Sequence, residues 1–224
     1  MAAAVRAVPL ASLERLPAVH AATVVVPLAG LAEVALGLLQ RGVHVLVEKP
    51  LALHSGEARR LVAQAEAADR LLKVGYLERF NPALAGWAGG RWLVARRAGR
   101  RAAGPLALDW LVHDLDLARF LVGPRLAVED ARQGPGWVGV RLRGPDGDAR
   151  LVAAEERPGV WRRLRGAGGS LDLAAGGDPL GAELAAFCAA VRGGSPGALA
   201  DGRDAVDVLT LVEAVAQRLG RRAA

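Results

Sequence analysis

Residues 43–50 read Val43-His-Val-Leu-Val-Glu-Lys-Pro50, an apolar run that ends in an acid, a base and a proline. A short apolar run bounded by turn-forming residues indicates a buried β-strand. Helical patterns lie on both sides of it, over residues 31–40 and from Ser55, which we expect to cap the second helix. Open α/β sheets bind ligands at the carboxyl ends of parallel strands, so Glu48 and Lys49 lie where a ligand would bind.

Two further apolar runs flank this strand. Ala22–Val26 precedes it and Leu71–Tyr76 follows it, and the helical patterns at Leu31–Gln40 and after Ser55 connect the three runs. The order strand, helix, strand, helix, strand predicts right-handed parallel crossovers. We therefore predict an α/β domain over residues 1–88, built on an incomplete Rossmann-type parallel sheet.

After Pro82 the pattern changes to short strands of alternating polar and apolar residues. Such strands, separated by glycine turns, predict an antiparallel open-faced sheet. The predicted elements are a strand near Trp92–Ala95, a helix over Leu108–Leu121, turns at residues 144–147 and 166–169, and closing helices at about Pro179–Val191 and Ala205–Arg218. We expect both closing helices to cover one face of the sheet, which makes residues 89–224 an α+β domain.

The charge balance is basic, with 29 Lys+Arg against 23 Asp+Glu and a formal net charge of +6. The arginines occur in short pairs along the whole chain, without the interleaved aromatic residues that stack on bases. This pattern is typical of a solvated basic surface. We expect no nucleic-acid partner, and binding of a polyanion remains a remote alternative.

The chain has the character of a cytoplasmic protein. No apolar stretch reaches the roughly 18 residues of a membrane span, and the first residues lack the apolar core of a signal peptide. The only cysteine, Cys188, cannot form an internal disulfide, and its helical apolar surroundings predict a buried, inert thiol. We therefore expect no membrane partner.

Asp109 and His113 are four residues apart in a predicted helix, so both lie on one face within reach of each other. A carboxylate beside an imidazole orients the ring and raises its basicity, as a proton-transfer group requires. The alternative is a helix-start aspartate and a structurally satisfied histidine. Adding Asp114 and Asp116 does not make a metal site, because only two of the four groups share a face. We expect no metal.

Glu48 and Lys49 also have a plainer interpretation, as a charged pair that ends a strand at the surface. Taken with Asp109 and His113, however, their order and separation resemble the oxidoreductase family of glucose–fructose oxidoreductase and inositol dehydrogenase, the Gfo/Idh/MocA family. The segments that carry the resemblance are Gly42–Leu51, Val74–Pro82, Leu108–Asp116 and Asp178–Phe187.

The resemblance implies hydride transfer between NAD or NADP and a carbon of a sugar. Lys49 and His113 would handle the proton of the sugar hydroxyl, and Asp109 would support His113. Pro27, Glu48, Lys49, Pro50 and Tyr76 would lie on the cofactor side, whereas Arg79, Asn81 and His113 would contact the substrate. The turn Glu78-Arg-Phe-Asn-Pro82 is most similar to nucleotide-sugar 3-dehydrogenases, so a sugar or a nucleotide sugar is the expected small-molecule partner.

The family normally begins with a strand, a Gly-x-Gly-x-x-Gly turn and a helix, and no such turn precedes Ala22. The literal match at residues 134–139 continues as a strand, so it offers no helix start for phosphate. Two hypotheses follow: an oxidoreductase whose glycine-rich unit lies upstream or on another chain, or a cofactor-deficient pseudoenzyme or partner subunit that keeps the sugar-binding sheet. An incomplete sheet also favours association, and we expect a homo-oligomer through the antiparallel sheet.

Overall fold

The structure is a computed structural model that describes residues 12–87, 90–99, 111–155, 161–174 and 176–223. Its helices and strands are, in chain order, β1 Ala21–Val24, α1 Leu28–Gln40, β2 His44–Glu48, α2 Ser55–Ala67, β3 Leu72–Gly75, β4 Trp92–Gly99, α3 Val112–Leu121, β5 Ala127–Gly134, β6 Trp137–Arg143, β7 Asp148–Glu155, β8 Trp161–Gly166, β9 Gly169–Asp172, α4 Pro179–Val191, β10 Ala200–Asp201 and α5 Gly202–Ala223. Single 3-10 turns lie at Leu13–Arg15, Leu77–Phe80 and Pro82–Leu84.

The first sheet has the order β1-β2-β3-β10. Strands β1, β2 and β3 are parallel, in a register that aligns Val24 with Val47 and Val47 with Val74. Val45, Val47 and Val74 have no exposed surface, as expected for strands covered by helices on both faces. The predicted parallel crossovers are therefore confirmed.

A difference from the sequence prediction concerns Ser55. It is the first residue of α2 rather than its cap, and the capping position belongs to His54, whose side chain makes no capping hydrogen bond. The Ser55 backbone N–H and hydroxyl instead donate to the two carboxylate oxygens of Glu213 in α5, at 2.7 and 2.8 Å. A carboxylate from a distant helix thus accepts the hydrogen bond of a free N–H group at the start of α2. No local sequence pattern could indicate this partner.

The second sheet contains six strands in the order β5-β6-β7-β4-β8-β9. Four of its five pairings are antiparallel, as predicted, but β4 pairs with β7 in parallel. The expectation of a purely antiparallel sheet was therefore wrong at this one pairing. Strands β5, β6 and β7 form a meander, and its last strand returns beside β4 in the same direction.

The closing helices occupy different places from those expected. Helix α5 packs against β5 and α3 in the second unit but also against α2 and β3 in the first. Helix α4 places Phe187 and Ala190 against Leu46 of β2 and Leu199, so it covers the parallel sheet. The prediction that both helices cover the second sheet was thus wrong for α4, because its apolar stripe faces the first sheet.

The boundary predicted between residues 88 and 89 stays a prediction, since both residues lie outside the described ones. Strand β10 follows α4 in sequence, yet it pairs with β3 of the first sheet. One continuous hydrophobic core includes Val45 of the first sheet, Leu151 of the second and Leu115 of the helix that follows β4.

Cys188 is exposed on α4, so the predicted burial of its thiol was wrong. The apolar spacing around it was assigned correctly to a helix, but Phe187 and Ala190 supply the buried stripe. No helix in the described part of the chain is long and apolar enough to cross a bilayer.

The turn between β6 and β7 limits which residue can occupy position 147. A Cβ added at Gly147 would lie 2.2 Å from the backbone oxygen of Arg91, which accepts a hydrogen bond from the Asp148 N–H at 2.9 Å. We expect Gly147→Ala to lower the free energy of unfolding by about 1–3 kcal/mol, because backbone would have to move. Urea denaturation measures the change.

The matched control is Gly37→Ala in α1, where nothing lies within 4 Å of an added Cβ and stability should rise by about 0.5–1 kcal/mol. Equal stability of the Gly147→Ala variant and the wild type would contradict the close approach.

Candidate active site

Glu48 and Lys49 lie at the carboxyl end of β2, where the parallel sheet opens. Glu48 is partly buried, and burial raises the pKa of its carboxyl while the Lys49 N–H and the Lys49 charge oppose that rise. Gly75 lies opposite Glu48 on β3, and a Cβ there would come 2.7 Å from Glu48 Oε2. The glycine therefore leaves room for the Glu48 carboxylate at the sheet edge. The Lys49–Pro50 peptide bond is cis.

Pro27 follows the neighbouring strand β1 and occupies the capping position directly before α1. Its carbonyl oxygen accepts a hydrogen bond from the Gly30 N–H at 2.9 Å. The first turn of α1 contains no acidic residue, and no side chain caps it. This helix start, with its partial positive charge, lies at the same sheet edge as Lys49.

His113 is in the first turn of α3 and keeps only part of its surface exposed. Its Nδ1 atom is buried and has no hydrogen-bond partner among the described residues. Burial lowers the pKa of His113 well below 6.5, and the positive charges of Arg97, Lys49 and Arg162 lower it further. The imidazole is therefore neutral at pH 7, with a ring nitrogen free of charge that can accept a proton. Its basicity is lowered among the described residues, whereas the sequence analysis expected Asp109 to raise it. The fold thus brings Lys49 and His113 into one electrostatic environment.

Asp109, the third predicted catalytic residue, lies outside the described residues. The predicted helix over Leu108–Leu121 is described only from Val112. The support of the His113 ring by Asp109 therefore stays a prediction.

A buried network of charges lies beside His113. Glu78 Oε1 accepts hydrogen bonds from Arg97 Nη2 at 3.2 Å and from Arg162 Nη1. Arg97 Nη2 also donates to Asp114 Oδ1 at 3.0 Å. Glu78, Arg97 and Asp114 are at most 9% exposed. The network joins the 3-10 turn after β3 to β4, β8 and α3, which are the elements that surround His113.

Arg79 belongs to a second network. Its Nη2 lies 2.6 Å from Asp116 Oδ1, and its Nη1 lies 3.2 Å from Asp204 Oδ2 of α5. The guanidinium also lies 5.0 Å from the centroid of the Phe120 ring. Burial raises the pKa of Asp116 to about 6, although the hydrogen bonds and charge of Arg79 oppose this.

Three residues predicted to bind cofactor or substrate are thus largely internal. Arg79 forms the ion pairs above, and Asn81 Nδ2 donates to Glu78 Oε2 at 3.1 Å and to the Leu173 oxygen at 2.8 Å. Tyr76 is 1% exposed, and its hydroxyl has no partner in the described part of the chain. Burial raises the pKa of Tyr76 well above 10. The contacts of all three residues are with protein, and a direct contact with a ligand stays a prediction.

Glu183 is a buried acid to which the sequence analysis gave no role. It lies on α4, is 3% exposed, and its Oε1 has no partner among the residues described. Burial, with repulsion from Glu48 and Asp116, raises its pKa to about 7. Its signal in the sequence is a single acid on the apolar stripe of a helix, four residues from both Pro179 and Phe187.

Arg97 and Arg162 were also missed. Arg97 follows Leu93 and Ala95 on the inward face of β4, so strand alternation indicates a buried charge there. Its acidic partners come from distant segments, which alternation cannot indicate.

The sequence of this chain is similar to a known protein family and to several known proteins. Residues 1–76 match a family described as "Oxidoreductase family, NAD-binding Rossmann fold". The rhizopine catabolism protein MocA of Rhizobium meliloti is 30% identical over 81% of this chain and 70% of its own length. The chain belongs to the Gfo/Idh/MocA oxidoreductase family. The predicted family is confirmed, and its NAD-binding description agrees with the expected cofactor class.

Other known dehydrogenases are similar over shorter or more divergent alignments. UDP-N-acetylglucosamine 3-dehydrogenase of Acidithiobacillus ferrooxidans is 34% identical over 47% of this chain but only 36% of its own length. A solved structure of that enzyme, GnnA, superposes with a TM-score of 0.79 at 24% identity and covers 91% of this chain and 79% of its own. The WlbA dehydrogenase of Thermus thermophilus, solved with NAD and UDP-GlcNAcA, gives a TM-score of 0.75 at 18% identity over 92% and 74%. The Gfo/Idh/MocA fold class predicted from the sequence is confirmed.

The Arg97 bridge makes a specific prediction about stability. We expect Arg97→Met to lower the free energy of unfolding by about 3–5 kcal/mol, because Glu78 and Asp114 would lose their cation in a buried site. Arg125→Met is the control, since Arg125 pairs with Asp146 at the surface and such pairs contribute at most about 1 kcal/mol. Chemical denaturation of both variants tests this. Losses of similar size would contradict the assigned importance of the buried bridge.

Glu183 makes a prediction about pH. Its pKa in the folded protein, about 7, lies above its ordinary value of 4.5, so the folded state holds the extra proton between these pH values. The carboxyl therefore costs stability as pH rises from 4.5 to 7. We expect Glu183→Gln to remove this cost, so that its advantage over wild type grows by about 2–3 kcal/mol across that range. Urea denaturation at several pH values measures it, with the exposed Glu33→Gln as control. A difference that stays constant with pH would contradict the raised pKa.

Proposed function

We propose that this protein is an NAD(P)-dependent oxidoreductase that acts on a hydroxyl or ketone of a sugar or a nucleotide sugar. The single observation that carries the proposal is the proximity of the partly buried His113 ring on α3 to the positive charge of Lys49, which follows β2 at the open edge of the parallel sheet. A proton acceptor and an ammonium beside a dinucleotide-type sheet are the groups that alcohol oxidation needs.

The residues at the sheet edge fit the nicotinamide end of the cofactor. The uncapped start of α1 after Pro27 offers backbone N–H groups, Gly75 leaves the edge open beside Glu48, and Lys49 supplies a positive charge. The literal glycine pattern at residues 134–139 lies in the β5–β6 hairpin, so it is not proposed to hold the pyrophosphate. When bound, the nicotinamide supplies a two-electron hydride acceptor at C4.

The protein's own residues accept and return the proton of the substrate hydroxyl. As a substrate carbon loses its hydrogen as hydride, the proton of its hydroxyl passes to His113, and the alcohol becomes a ketone. The Lys49 ammonium stabilises the negative charge that develops on that oxygen. In the reverse direction His113 returns the proton to the oxygen. Asp109 is proposed to hold the His113 ring in position, as in the sequence-based hypothesis.

Arg79 and Asn81 stabilise the turn after β3 through hydrogen bonds inside the protein. Their hydrogen bonds to Asp116 and Glu78 fix the turn that follows β3. Tyr76 directly precedes that turn. The hydrogen bonds of Arg97 link the turn to α3, the helix that carries His113. We propose that this rigid turn sets the wall of the substrate pocket, and that any direct ligand contact by Arg79 or Asn81 requires exchange of an internal hydrogen bond.

A nucleotide sugar is the finer substrate proposal. The similarity of Glu78-Arg-Phe-Asn-Pro82 to nucleotide-sugar 3-dehydrogenases supports it, as does the similarity to the enzyme from A. ferrooxidans. We also propose a homo-oligomer formed through the outer face of the second sheet, because that face exposes Trp92 and Trp137, at 43% and 38%.

We expect Lys49→Met and His113→Gln each to lower kcat by at least about 100-fold, because each removes a group that handles charge or the proton in the transition state. Both variants should keep the wild-type melting temperature. The assay follows absorbance of the reduced nicotinamide with UDP-N-acetylglucosamine or myo-inositol and either NAD or NADP. A wild-type rate from one variant would remove that residue from the mechanism.

The cofactor is tested separately by titrating the purified chain with NADH and NADPH and following fluorescence. Saturable binding at micromolar concentration supports the oxidoreductase. A folded chain that binds neither nucleotide would instead support the cofactor-deficient alternative.

A further inference from the structure

The outer face of the second sheet carries a cluster of arginines at its centre. Arg96 of β4 lies directly opposite Arg163 of β8, and Val94 lies opposite Arg165 in the same pair of strands. On the other side of β4, Val94 aligns with Arg150 of β7. All four arginines are exposed. We call Arg96, Arg150, Arg163 and Arg165 the central arginines.

Other arginines on this face differ, because they have acidic partners. Arg132 Nε lies 3.1 Å from Asp130 Oδ2, and Arg141 Nε lies 3.3 Å from Glu129 Oε2. Arg143 pairs with Glu129 at 3.2 Å. These peripheral pairs lie on β5 and β6, toward one edge of the sheet.

None of the central arginines forms an ion pair with an acid of the described residues, although Asp172 lies opposite Arg163 on β9. Arg163 lies over the ring of Trp161, 5.9 Å from its centroid, which orders the side chain without neutralising it. Like charges directly opposite each other destabilise a strand pair. The register of β4 and β8 therefore maintains a repulsion that an anion between the guanidinium groups would relieve.

A groove of about 430 Å³ opens over three of the central arginines, and Arg150 lies outside its lining. Its walls include Trp92, Val94, Arg96, Arg163, Arg165 and Ser170. The guanidinium forks suit the paired oxygens of a phosphate, and the exposed Ser170 supplies a hydroxyl. The groove therefore combines several cations, a hydroxyl donor and an apolar floor.

The dimensions favour a small ligand over a polymer. The central arginines occupy three neighbouring strands, β8, β4 and β7, about 5 Å apart, so the cluster is roughly 10 Å wide. Asp172 lies opposite Arg163 on the edge strand β9, and Asp130 lies beyond Arg141 on the other side. A long polyanion crossing the sheet would meet these carboxylates.

We propose that this groove binds a diphosphate group, free or as part of a nucleoside diphosphate. The site is separate from the carboxyl edge of the parallel sheet, so it does not depend on the proposed oxidoreductase activity. A bound diphosphate would also offset the repulsion between two copies that meet through this face.

The test is calorimetric titration of the full chain with inorganic pyrophosphate at 150 mM salt. We expect saturable binding of one pyrophosphate per chain. The Arg96→Gln/Arg165→Gln variant should weaken it by at least tenfold. The matched control, Arg132→Gln/Arg141→Gln, removes the same charge from the same face but from arginines that already have acidic partners, and it should change affinity less than twofold.

Further arms locate the ligand and identify its source. Lys49→Met should leave pyrophosphate affinity unchanged, and loss of binding in this variant would overturn the proposal by placing the anion in the candidate active site. Equal loss in the control and central variants, or no saturable binding, would also overturn it.

The source of the ligand follows from comparing UDP with pyrophosphate. Tighter binding of UDP that is lost in the Arg96→Gln/Arg165→Gln variant identifies a nucleotide as the source, whereas equal affinity identifies the free diphosphate. Tighter binding of a 20-residue oligonucleotide than of either would replace the diphosphate with a polymer and refute the proposal.

Discussion

The bridge from Arg97 to Glu78 and Asp114 is the constraint on which the candidate site depends. Arg97 comes from the second sheet, Glu78 from the turn that leaves the first sheet, and Asp114 from the helix that carries His113. Three charges in a buried place are tolerated only when each is paired. Their pairing fixes the distance between the two sheets, and with it the relation of His113 to Lys49.

The same buried positive charge explains the state of the histidine. Burial alone disfavours imidazolium, and Arg97, Lys49 and Arg162 disfavour it further. The acids of the site are affected in the opposite direction, since burial raises the pKa of Glu48, Asp116 and Glu183. Burial and charge therefore give these groups different roles. The arginines remain charged and stabilise the structure, while His113 stays neutral and able to take up a proton.

Local pattern was enough to predict the helices and the three parallel strands of the first sheet, but not β10, which pairs with β3 from a distant part of the chain. The runs at Ala22–Val26 and Val43–Val47 are short, apolar and separated by helical spacing, so their parallel pairing followed from chain order. The parallel pairing of β4 with β7 could not be predicted in this way, because it depends on where the meander returns. The exposure of Cys188 was missed for a related reason, since the face of α4 that is buried depends on which sheet it covers.

The candidate site was predictable to the extent that its residues form short motifs. Glu48-Lys49-Pro50 and the spacing of Asp109 and His113 indicated one site. The described structure places the Lys49 charge close enough to lower the pKa of His113, and the shared catalytic role of these residues stays a prediction. The partners of Arg79 and Glu78 are distant in sequence, so their internal hydrogen bonds could not be inferred from spacing. The apolar stripe of α4 gave no indication that Glu183 would lie among other acids.

The short strand β10 gives the protein a definite order of assembly. It pairs with β3, and the next helix supplies Glu213 to the start of α2, so the first sheet receives its last strand and one helix start from residues beyond 199. During synthesis, a segment that already contains β1, β2 and β3 must wait for residues 200–213 before the edge of β3 and the start of α2 gain these partners. The parallel sheet is therefore completed only after the strands of the second sheet have been made.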